Sequence, residues 1–289
     1  MTEENARQLQ VRGHALRLFE KGSGEAVVLL HGGGADSALL SWGKVFDPLA
    51  EDLNVYAPDW PGYGGSEPIN EVLTNELLLA TLDALLARLD LDSPHLVGIS
   101  MGGEAALAYA LAHPDRVKTM TLVGSGAMQE RAPYHALAWP ILHMPLLAKP
   151  LAKWQWRMFA RSPKLLERSL RALLPSWQEI PGELVQMIQD ELNGRSKPEV
   201  FFEWQADEVR FGGLRTNFTP RLGELSMPVK LLHGDKDIAV PVKYARRAAQ
   251  LIPGAVYREF AGCGHWLPRE RPEDVVDEVR AFVGEGKER

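Results

Sequence analysis

The sequence has few of the features that mark secreted, membrane-spanning or metal-binding proteins. Its one cysteine, Cys263, excludes a disulfide within the chain. Its longest apolar runs, such as residues 117–123, fall far short of the roughly 20 residues that a membrane-spanning helix needs. Residues 1–10 are polar and acidic and lack the apolar stretch of a secretory signal, so we expect a cytoplasmic protein.

Metal and nucleic-acid sites are also without support in the sequence. The eight histidines show no HExxH spacing and the lone cysteine no CxxC pair, so we predict neither a metal nor another cofactor. The net charge of −6 excludes a predominantly basic surface of the kind that binds nucleic acid, which leaves small molecules as the expected partners. Residues 149–171 form a locally basic stretch, which we interpret as solvated helix surface. Nothing in the sequence indicates an oligomeric state.

Short apolar segments alternate with helical patterns along most of the chain. Leucines between residues 77 and 89 recur at intervals of three and four, which is typical of a helix with one face in the core. The alternation predicts an α/β protein with a mostly parallel sheet and helices on both faces. The segments that we interpret as buried strands are residues 27–30, 54–57, 95–98, 119–123 and 229–233, and residues 256–260 are also strand-like.

Residues 129–219 interrupt this alternation with prolines and short helical patterns. We predict that they form a helical lid inserted into a core made of residues 1–128 and 220–289. Five of the eight tryptophans lie in this segment, and large aromatic side chains suit an apolar roof over a pocket. We therefore expect Trp154 and Trp204 to bind substrate, although packing within the lid itself is the alternative for each.

A GxSxG pattern lies between a predicted strand and a predicted helix. It consists of Gly98, Ser100 and Gly102 with one residue between each pair. Glycines on both sides permit the close approach of strand and helix that a sharp turn requires. Ser100 would then be exposed at the carboxyl edge of the sheet.

Four segments together carry a resemblance to the α/β-hydrolase fold family, over nearly the whole length of the chain. In order they are HGGG at residues 31–34, DWPGYGGS at 59–66, GISMGG at 98–103, and HGDKDIAVP at 233–241 followed by GCGHW at 262–266. The order of nucleophile, acid and histidine in this family implies a triad of Ser100, Asp237 and His265. Asp235 is the competing acid. Some relatives carry the acid after the sixth strand, where this chain has no carboxylate before Glu130.

The resemblance also implies where the remaining site residues lie. Serine is a weak nucleophile that needs a base, and the base needs a partner that fixes its tautomer, which are the roles of His265 and Asp237. The backbone N–H groups of Gly33 and Met101 would form the oxyanion hole. The substrate-binding residues would be Gly32 and Gly34, which flank Gly33, and Trp266, which follows the base. For Trp266, plain packing in the core is the alternative.

Serine at the elbow points away from the dehalogenase and epoxide-hydrolase branches, which carry aspartate there. The resemblance therefore implies hydrolysis of a small, largely apolar carboxylic ester through an acyl-enzyme. Carbon–carbon bond hydrolases that split vinylogous diketones from aromatic ring cleavage are the alternative, with lid arginines binding a substrate carboxylate. Those enzymes commonly have Asn before the nucleophile and Pro after the glycine loop, where this chain has Ile99 and Ala35. Haloperoxidase or perhydrolase activity and a ligand receptor on the same fold are further alternatives.

Overall fold

A central β-sheet organises the protein, whose computed structural model describes residues 1–131, 135–194 and 198–286. Eight strands form this sheet in the described ranges, and two further strands pair as a small hairpin. In chain order the strands are β1 (Ala6–Val11), β2 (His14–Lys21), β3 (Ala26–Leu30), β4 (Asn54–Pro58), β5 (His95–Ile99), β6 (Thr119–Val123), β7 (Val209–Arg210), β8 (Gly213–Leu214), β9 (Val229–Gly234) and β10 (Val256–Phe260).

Helices connect nearly all the parallel strands. Short 3₁₀ turns lie at Glu3–Asn5, Pro114–Arg116 and Thr219–Glu224. The α-helices are α1 (Ala38–Trp42), α2 (Phe46–Leu49), α3 (Asn75–Arg88), α4 (Met101–Ala112), α5 (His135–Leu142), α6 (Pro145–Arg161), α7 (Pro163–Leu173), α8 (Gly182–Asn193), α9 (Pro198–Glu208), α10 (Lys243–Leu251), α11 (Leu267–Glu270) and α12 (Pro272–Glu285). None of these described helices combines the length and apolar character needed to cross a membrane.

The strand order brings the predicted motifs to one edge of the sheet. The order is β1-β2-β4-β3-β5-β6-β9-β10, with β3 to β6, β9 and β10 pairing in parallel and β1 and β2 joining antiparallel. Leu30 pairs with Gly98, and Val123 pairs with both Ile99 and Leu232, so β3, β5, β6 and β9 end side by side. Because parallel strands share their carboxyl edge, the loops that follow them converge.

Helices cover both faces of the sheet, as predicted for an α/β protein. Helices α3, α4 and α10 pack on one face, whereas α1, α2, α11 and α12 pack on the other. The leucine pattern of α3 is buried as expected, and Thr74 caps the helix by accepting a hydrogen bond from the N–H of Leu77. The antiparallel strands β1 and β2 extend the sheet beyond the strands that the sequence indicated.

Helices α5 to α9 and the β7–β8 hairpin follow β6 and precede β9. All of them fall within residues 129–219, the range predicted for the lid. The inner side of α7 and α8 packs on the core through buried apolar residues such as Leu166, Leu170 and Ile188. Two short strands, β7 and β8, occur in a range where the sequence indicated helices alone.

Candidate active site

The turn between β5 and α4 holds Ser100 in an uncommon backbone conformation. Its φ is 52° and its ψ is −118°, a combination that non-glycine residues rarely adopt. The flanking glycines make this turn possible, because a Cβ on Gly98 would collide with the backbone of α4 and a Cβ on Gly102 with the backbone of Leu30. This geometry lifts the Ser100 side chain out of the sheet edge into a cavity.

His265 forms a hydrogen-bonded pair with Asp237 and lines the same cavity as Ser100. The Nδ1 of His265 donates a hydrogen bond to Oδ2 of Asp237 at 2.8 Å. The other oxygen, Oδ1, accepts from the backbone N–H groups of Ala239 and Val240, each at 2.8 Å. Since Nδ1 carries the proton in this arrangement, the Nε2 atom of His265 is the one left to act as a base.

Asp235, the competing acid, serves a different part of the chain. Its Oδ1 accepts a hydrogen bond from the N–H of Gly262 at 2.7 Å, so it holds the loop after β10. The structure thus brings Asp237, and not Asp235, to the imidazole of His265.

Electrostatics keep Asp237 ionised and His265 basic. Burial by itself would raise the pKa of Asp237, but His265 and the neighbouring His233, whose Nε2 lies 3.2 Å from Oδ2, hold that pKa well below its usual range. Burial lowers the pKa of His265, but the negative charges of Asp237 and then Asp36 raise it above its ordinary value. A carboxylate in this position stabilises the imidazolium that forms when the histidine takes a proton.

Gly124, directly after β6, leaves room for this pair. It has a φ of +48°, and a Cβ at this position would lie 3.2 Å from both Oδ2 of Asp237 and Nδ1 of His265. The absence of a side chain there lets the acid and the base pack against the backbone of β6. Gly124 was not among the predicted site residues, because a glycine after a strand is common in any loop.

The convergent loops and the α6–α9 helices enclose a cavity of about 660 Å³. Ser100 and His265 line its wall. So do six of the residues that were predicted to form the oxyanion hole or to bind substrate: Gly32, Gly33, Gly34, Met101, Trp204 and Trp266. Met101 is the first residue of α4, so its N–H has no acceptor within the helix and remains available to an oxyanion. Phe201 packs over Gly33, where a Cβ would lie 2.5 Å from the phenyl ring.

The prediction that Trp154 binds substrate is wrong. Its side chain is 57% exposed and does not line the cavity. Trp156 lies two residues later on the opposite face of α6, lines the cavity, and donates from Nε1 to the carbonyl oxygen of Leu192 at 2.9 Å. Two residues correspond to about 200° of helix rotation, so only one of the two tryptophans can face inward.

Asp36 is a buried carboxyl in the cavity wall that the sequence analysis did not identify. It accepts hydrogen bonds from the N–H of Gly32 at 2.9 Å and from the hydroxyl of Ser41 at 2.7 Å. The same hydroxyl accepts a bond of 3.0 Å from Nε1 of Trp266. Burial raises the pKa of Asp36, against the opposing influence of His31. This chain of contacts fixes the glycine loop relative to the residue that follows His265.

Glu104 and Glu208 also line the cavity and were not predicted. Glu104 lies one helical turn after Ser100 and is 7% exposed, and Glu208 at the end of α9 is 3% exposed. Burial, with the nearby charge of Glu208, raises the pKa of Glu104 to about 8. The four-residue spacing from Ser100 was the one signal in the sequence, because it places Glu104 in the first turn of the helix that follows the elbow, and its N–H donates to the carbonyl oxygen of Ser100 at 3.1 Å.

The described ionisable side chains that line the cavity are all acids apart from His265. Among the described residues that line it, three carry carboxyl groups and none is lysine or arginine. The basic residues of 149–171 do not line it, and Lys149 and Lys153 form ion pairs with Glu203 and Glu199 across the outer sides of α6 and α9. Within the described ranges no cluster of three or more His, Cys, Asp or Glu side chains is arranged to hold a metal ion.

Comparison with known proteins agrees with this architecture. The sequence profile of the alpha/beta hydrolase fold matches residues 25–272. The chain belongs to the α/β-hydrolase fold family. It is therefore a hydrolase-fold protein over most of its length, as the resemblance of the four motifs implied.

Hydrolases named for 2-hydroxy-6-oxo dienedioates and dienoates are among the relatives of this α/β hydrolase. It is 30% identical over 265 residues to a 2-hydroxy-6-oxononadienedioate/2-hydroxy-6-oxononatrienedioate hydrolase of Cupriavidus pinatubonensis, covering 90% of this chain and 87% of that one. It is 27% identical over 279 residues to a 2-hydroxy-6-oxo-6-phenylhexa-2,4-dienoate hydrolase of Burkholderia cepacia, covering 94% and 92%.

Solved structures with the same fold include both kinds of hydrolase. A meta-cleavage product hydrolase from Pseudomonas fluorescens superposes with a TM-score of 0.80 at 22% identity, covering 98% of this chain and 99% of that one. A thermophilic esterase from Thermogutta terrifontis superposes with a TM-score of 0.76 at 22% identity, covering 97% and 98%. At these identities the superpositions establish the fold, so the choice of reaction depends on the site.

Proposed function

We propose that this α/β hydrolase cleaves a small carboxylic ester that carries no negative charge, through an acyl-enzyme on Ser100. The observation that carries this proposal is the acidic lining of the cavity, in which His265 is the one basic side chain among the described residues. Its described lining offers Asp36, Glu104 and Glu208 to a substrate but no lysine or arginine. A buried anion without a cationic partner is strongly disfavoured, so a neutral or cationic substrate suits this cavity.

The arrangement supports the following cycle. The Oγ of Ser100 attacks the ester carbonyl while Nε2 of His265 accepts its proton, and the N–H groups of Gly33 and Met101 stabilise the oxyanion, at about 3 kcal/mol per donor. His265 then gives the proton to the departing alcohol. A water molecule, deprotonated by His265, attacks the acyl-enzyme and releases the carboxylic acid and the free serine.

Carbon–carbon bond hydrolysis is the second candidate, and the relatives favour it. The names of the relatives from Cupriavidus pinatubonensis and Burkholderia cepacia specify a dienedioate and a dienoate, which are carboxylates. Such a substrate would bring its negative charge into a cavity whose described ionisable residues, His265 apart, are acids. Ile99 and Ala35 also replace the Asn and Pro that are common in that branch.

Turnover of p-nitrophenyl esters of increasing acyl length would test the proposal against 2-hydroxy-6-oxo-6-phenylhexa-2,4-dienoate. We expect ester turnover in the wild type and a loss of about 10⁴-fold or more in Ser100→Ala. Ser93→Ala, which removes an exposed hydroxyl before β5, is the matched control and should retain activity. A fluorophosphonate should label Ser100, as identified by mass spectrometry.

Each other outcome selects a different function. Turnover of the dienoate alone would replace the ester proposal with carbon–carbon bond hydrolysis. Labelling of Ser100 with only one equivalent of product released would favour a ligand receptor. Failure of both substrates together with failure to label Ser100 would refute its role as nucleophile. The cytoplasmic location, the lack of a cofactor and the lid boundaries remain predictions from the sequence.

A further inference from the structure

Three buried residues that carry hydrogen-bond acceptors line the cavity. Glu104 comes from α4, Glu208 from the end of α9, and Gln129 from the segment after β6. All three line the cavity, and their exposures are 7%, 3% and 7%. We call these three residues the acceptor cluster.

The two carboxyls of the cluster differ in how well they are satisfied. Glu208 accepts from the N–H of Thr216 at 3.0 Å, from its hydroxyl at 2.8 Å, and from Nδ2 of Asn75 at 2.9 Å. Glu104 receives one bond from within the described ranges, a long one of 3.3 Å from the same Nδ2 of Asn75. Glu208 is therefore held by the protein, whereas Glu104 keeps acceptor capacity on the cavity side.

Gln129 supplies an independent sign that a ligand group belongs here. Its Oε1 atom is buried and has no hydrogen-bond partner in the part of the chain that the structure describes. Buried polar atoms in folded proteins are nearly always paired, so an unpaired acceptor on a residue that lines a cavity calls for a donor from a ligand.

Aromatic rings line the cavity near the acceptor cluster. Phe201 and Trp204 stack with their centroids 5.6 Å apart and an interplanar angle of 16°. Both residues line the cavity. The faces of such rings attract cations as well as apolar groups, which adds to the attraction of the carboxyls for positive charge.

No protein cation neutralises this cluster from within the described cavity lining. Arg215 influences Glu208, but its guanidinium is turned outward and bonds to Glu76 at 2.6 Å and 3.0 Å and to Asp207. Acceptors, carboxyls and aromatic faces without an internal cation are the features of a site for an ammonium group.

We propose that the acceptor cluster binds a cationic amino group of the substrate, so that the ester cleaved at Ser100 carries an ammonium. The inference rests on the ester hydrolysis proposed above. The N–H of Glu104 donates to the carbonyl oxygen of Ser100 at 3.1 Å and both residues line the cavity, so the ammonium would lie a few bonds from the scissile carbonyl. Glu104 and Gln129 contact the ammonium directly, and Phe201 and Trp204 face it.

The ionisation of Glu104 is consistent with this role. Burial, with the nearby charge of Glu208, raises its pKa to about 8, so the carboxyl is largely protonated at neutral pH. A bound ammonium would favour the ionised form, and its binding would therefore release a proton from Glu104 to solvent.

Isosteric substrate pairs that differ only in charge would test the proposal. One pair carries the charge in the alcohol: protonated 2-(dimethylamino)ethyl butyrate, whose ammonium has one N–H, and 3-methylbutyl butyrate. The other carries it in the acyl group: protonated ethyl 4-(dimethylamino)butyrate and ethyl 5-methylhexanoate. For at least one pair we expect the wild type to prefer the cationic ester by about tenfold or more in kcat/KM, measured from acid release.

The variant Glu104→Gln removes the charge while keeping the side-chain shape. We expect the ratio of cationic to neutral kcat/KM to fall by about tenfold in this variant. Glu203→Gln removes a carboxylate from α9 that pairs with Lys149 and does not line the cavity, so it should leave the ratio unchanged. A neutral preference in both pairs, or the same ratio in wild type and Glu104→Gln, would overturn the proposal.

Binding to a catalytically inactive protein separates this test from the proposed reaction. The four esters are titrated calorimetrically into Ser100→Ala and into the double variant Ser100→Ala, Glu104→Gln. Tighter binding of a cationic ester to the first, lost in the second, supports the acceptor cluster even if neither ester is turned over. Equal binding of both members of each pair to Ser100→Ala would overturn it even if esters are hydrolysed through Ser100.

Discussion

Glu104 makes the stability of the protein depend on pH in a way that one substitution should remove. Its carboxyl is buried beside Glu208, and burial raises its pKa to about 8 in the folded protein. In the unfolded chain the pKa returns to its ordinary value of 4.5. Folding therefore favours the protonated form. The contribution of Glu104 to stability is complete below pH 4.5 and is lost as the pH rises toward 8.

The size of this loss follows from the two pKa values. A pKa difference of one corresponds to about 1.4 kcal/mol, so ionising Glu104 should cost on the order of 5 kcal/mol between pH 4.5 and 9. Glutamine has nearly the same shape and does not titrate. The free energy of unfolding of Glu104→Gln should therefore rise relative to that of the wild type as the pH increases through this range. For a chain of this length the gain corresponds to a rise in relative Tm of about 8 °C.

Thermal unfolding of both proteins at half-unit intervals from pH 4.5 to 9 would measure the difference. Glu203→Gln, a change of the same kind on the outer side of α9, should show a Tm curve parallel to that of the wild type. The reasoning is refuted if the curves of Glu104→Gln and wild type are parallel, since Glu104 would then have an ordinary pKa in the folded state. A difference that shrinks with rising pH would mean that the sign is wrong.

Three further predictions concern the site and the α6 helix. Asp237 and Asp36 raise the pKa of His265, so kcat/KM should fall on acidification with an apparent pKa above 6.5. An acid limb with an apparent pKa below that value would contradict the influence of these two carboxylates on His265. Gly124→Ala should lower kcat by about 10- to 100-fold, because the new methyl group displaces the acid and the base. Gly254 also has a positive φ, +64°, but a Cβ there would have no neighbour within 4 Å. Gly254→Ala therefore controls for backbone strain and should leave kcat unchanged. Chemical denaturation should show that Trp156→Ala lowers the free energy of unfolding by about 3 kcal/mol and Trp154→Ala by less than about 0.5 kcal/mol. Equal losses would mean that both side chains lie in similar surroundings.

The parts of the structure that the sequence predicted depend on local patterns. The parallel strands follow from short apolar runs between helical segments, and their carboxyl edge follows from chain direction alone. The GxSxG pattern specifies its own turn, because Gly98 and Gly102 are the residues that the close contact of β5 and α4 requires. The family resemblance then implied which acid and which histidine belong beside that turn.

The parts that were not predicted depend on packing between distant segments. Trp154 and Trp156 are equally apolar in sequence, and only the contact of α6 with Leu192 on α8 decides which of them faces inward. Asp36 lies in an ordinary-looking loop, and its importance appears once Ser41 and Trp266 are seen to share its hydrogen bonds. No local pattern encodes either arrangement.

The acidic lining of the cavity also depends on packing between distant segments. A charged residue inside a helix is normally expected to face solvent, so Glu104 would be placed on the surface of α4 from sequence alone. Residues 101–110 of α4 are in fact all buried, because the helix lies between the sheet and its neighbours. Glu104 consequently meets Glu208, more than 100 positions later in the chain, at the wall of the cavity. The motifs that resemble those of other α/β hydrolases specify the turn at Ser100, whereas these long-range contacts of acidic side chains determine the cavity lining on which the proposed substrate preference rests.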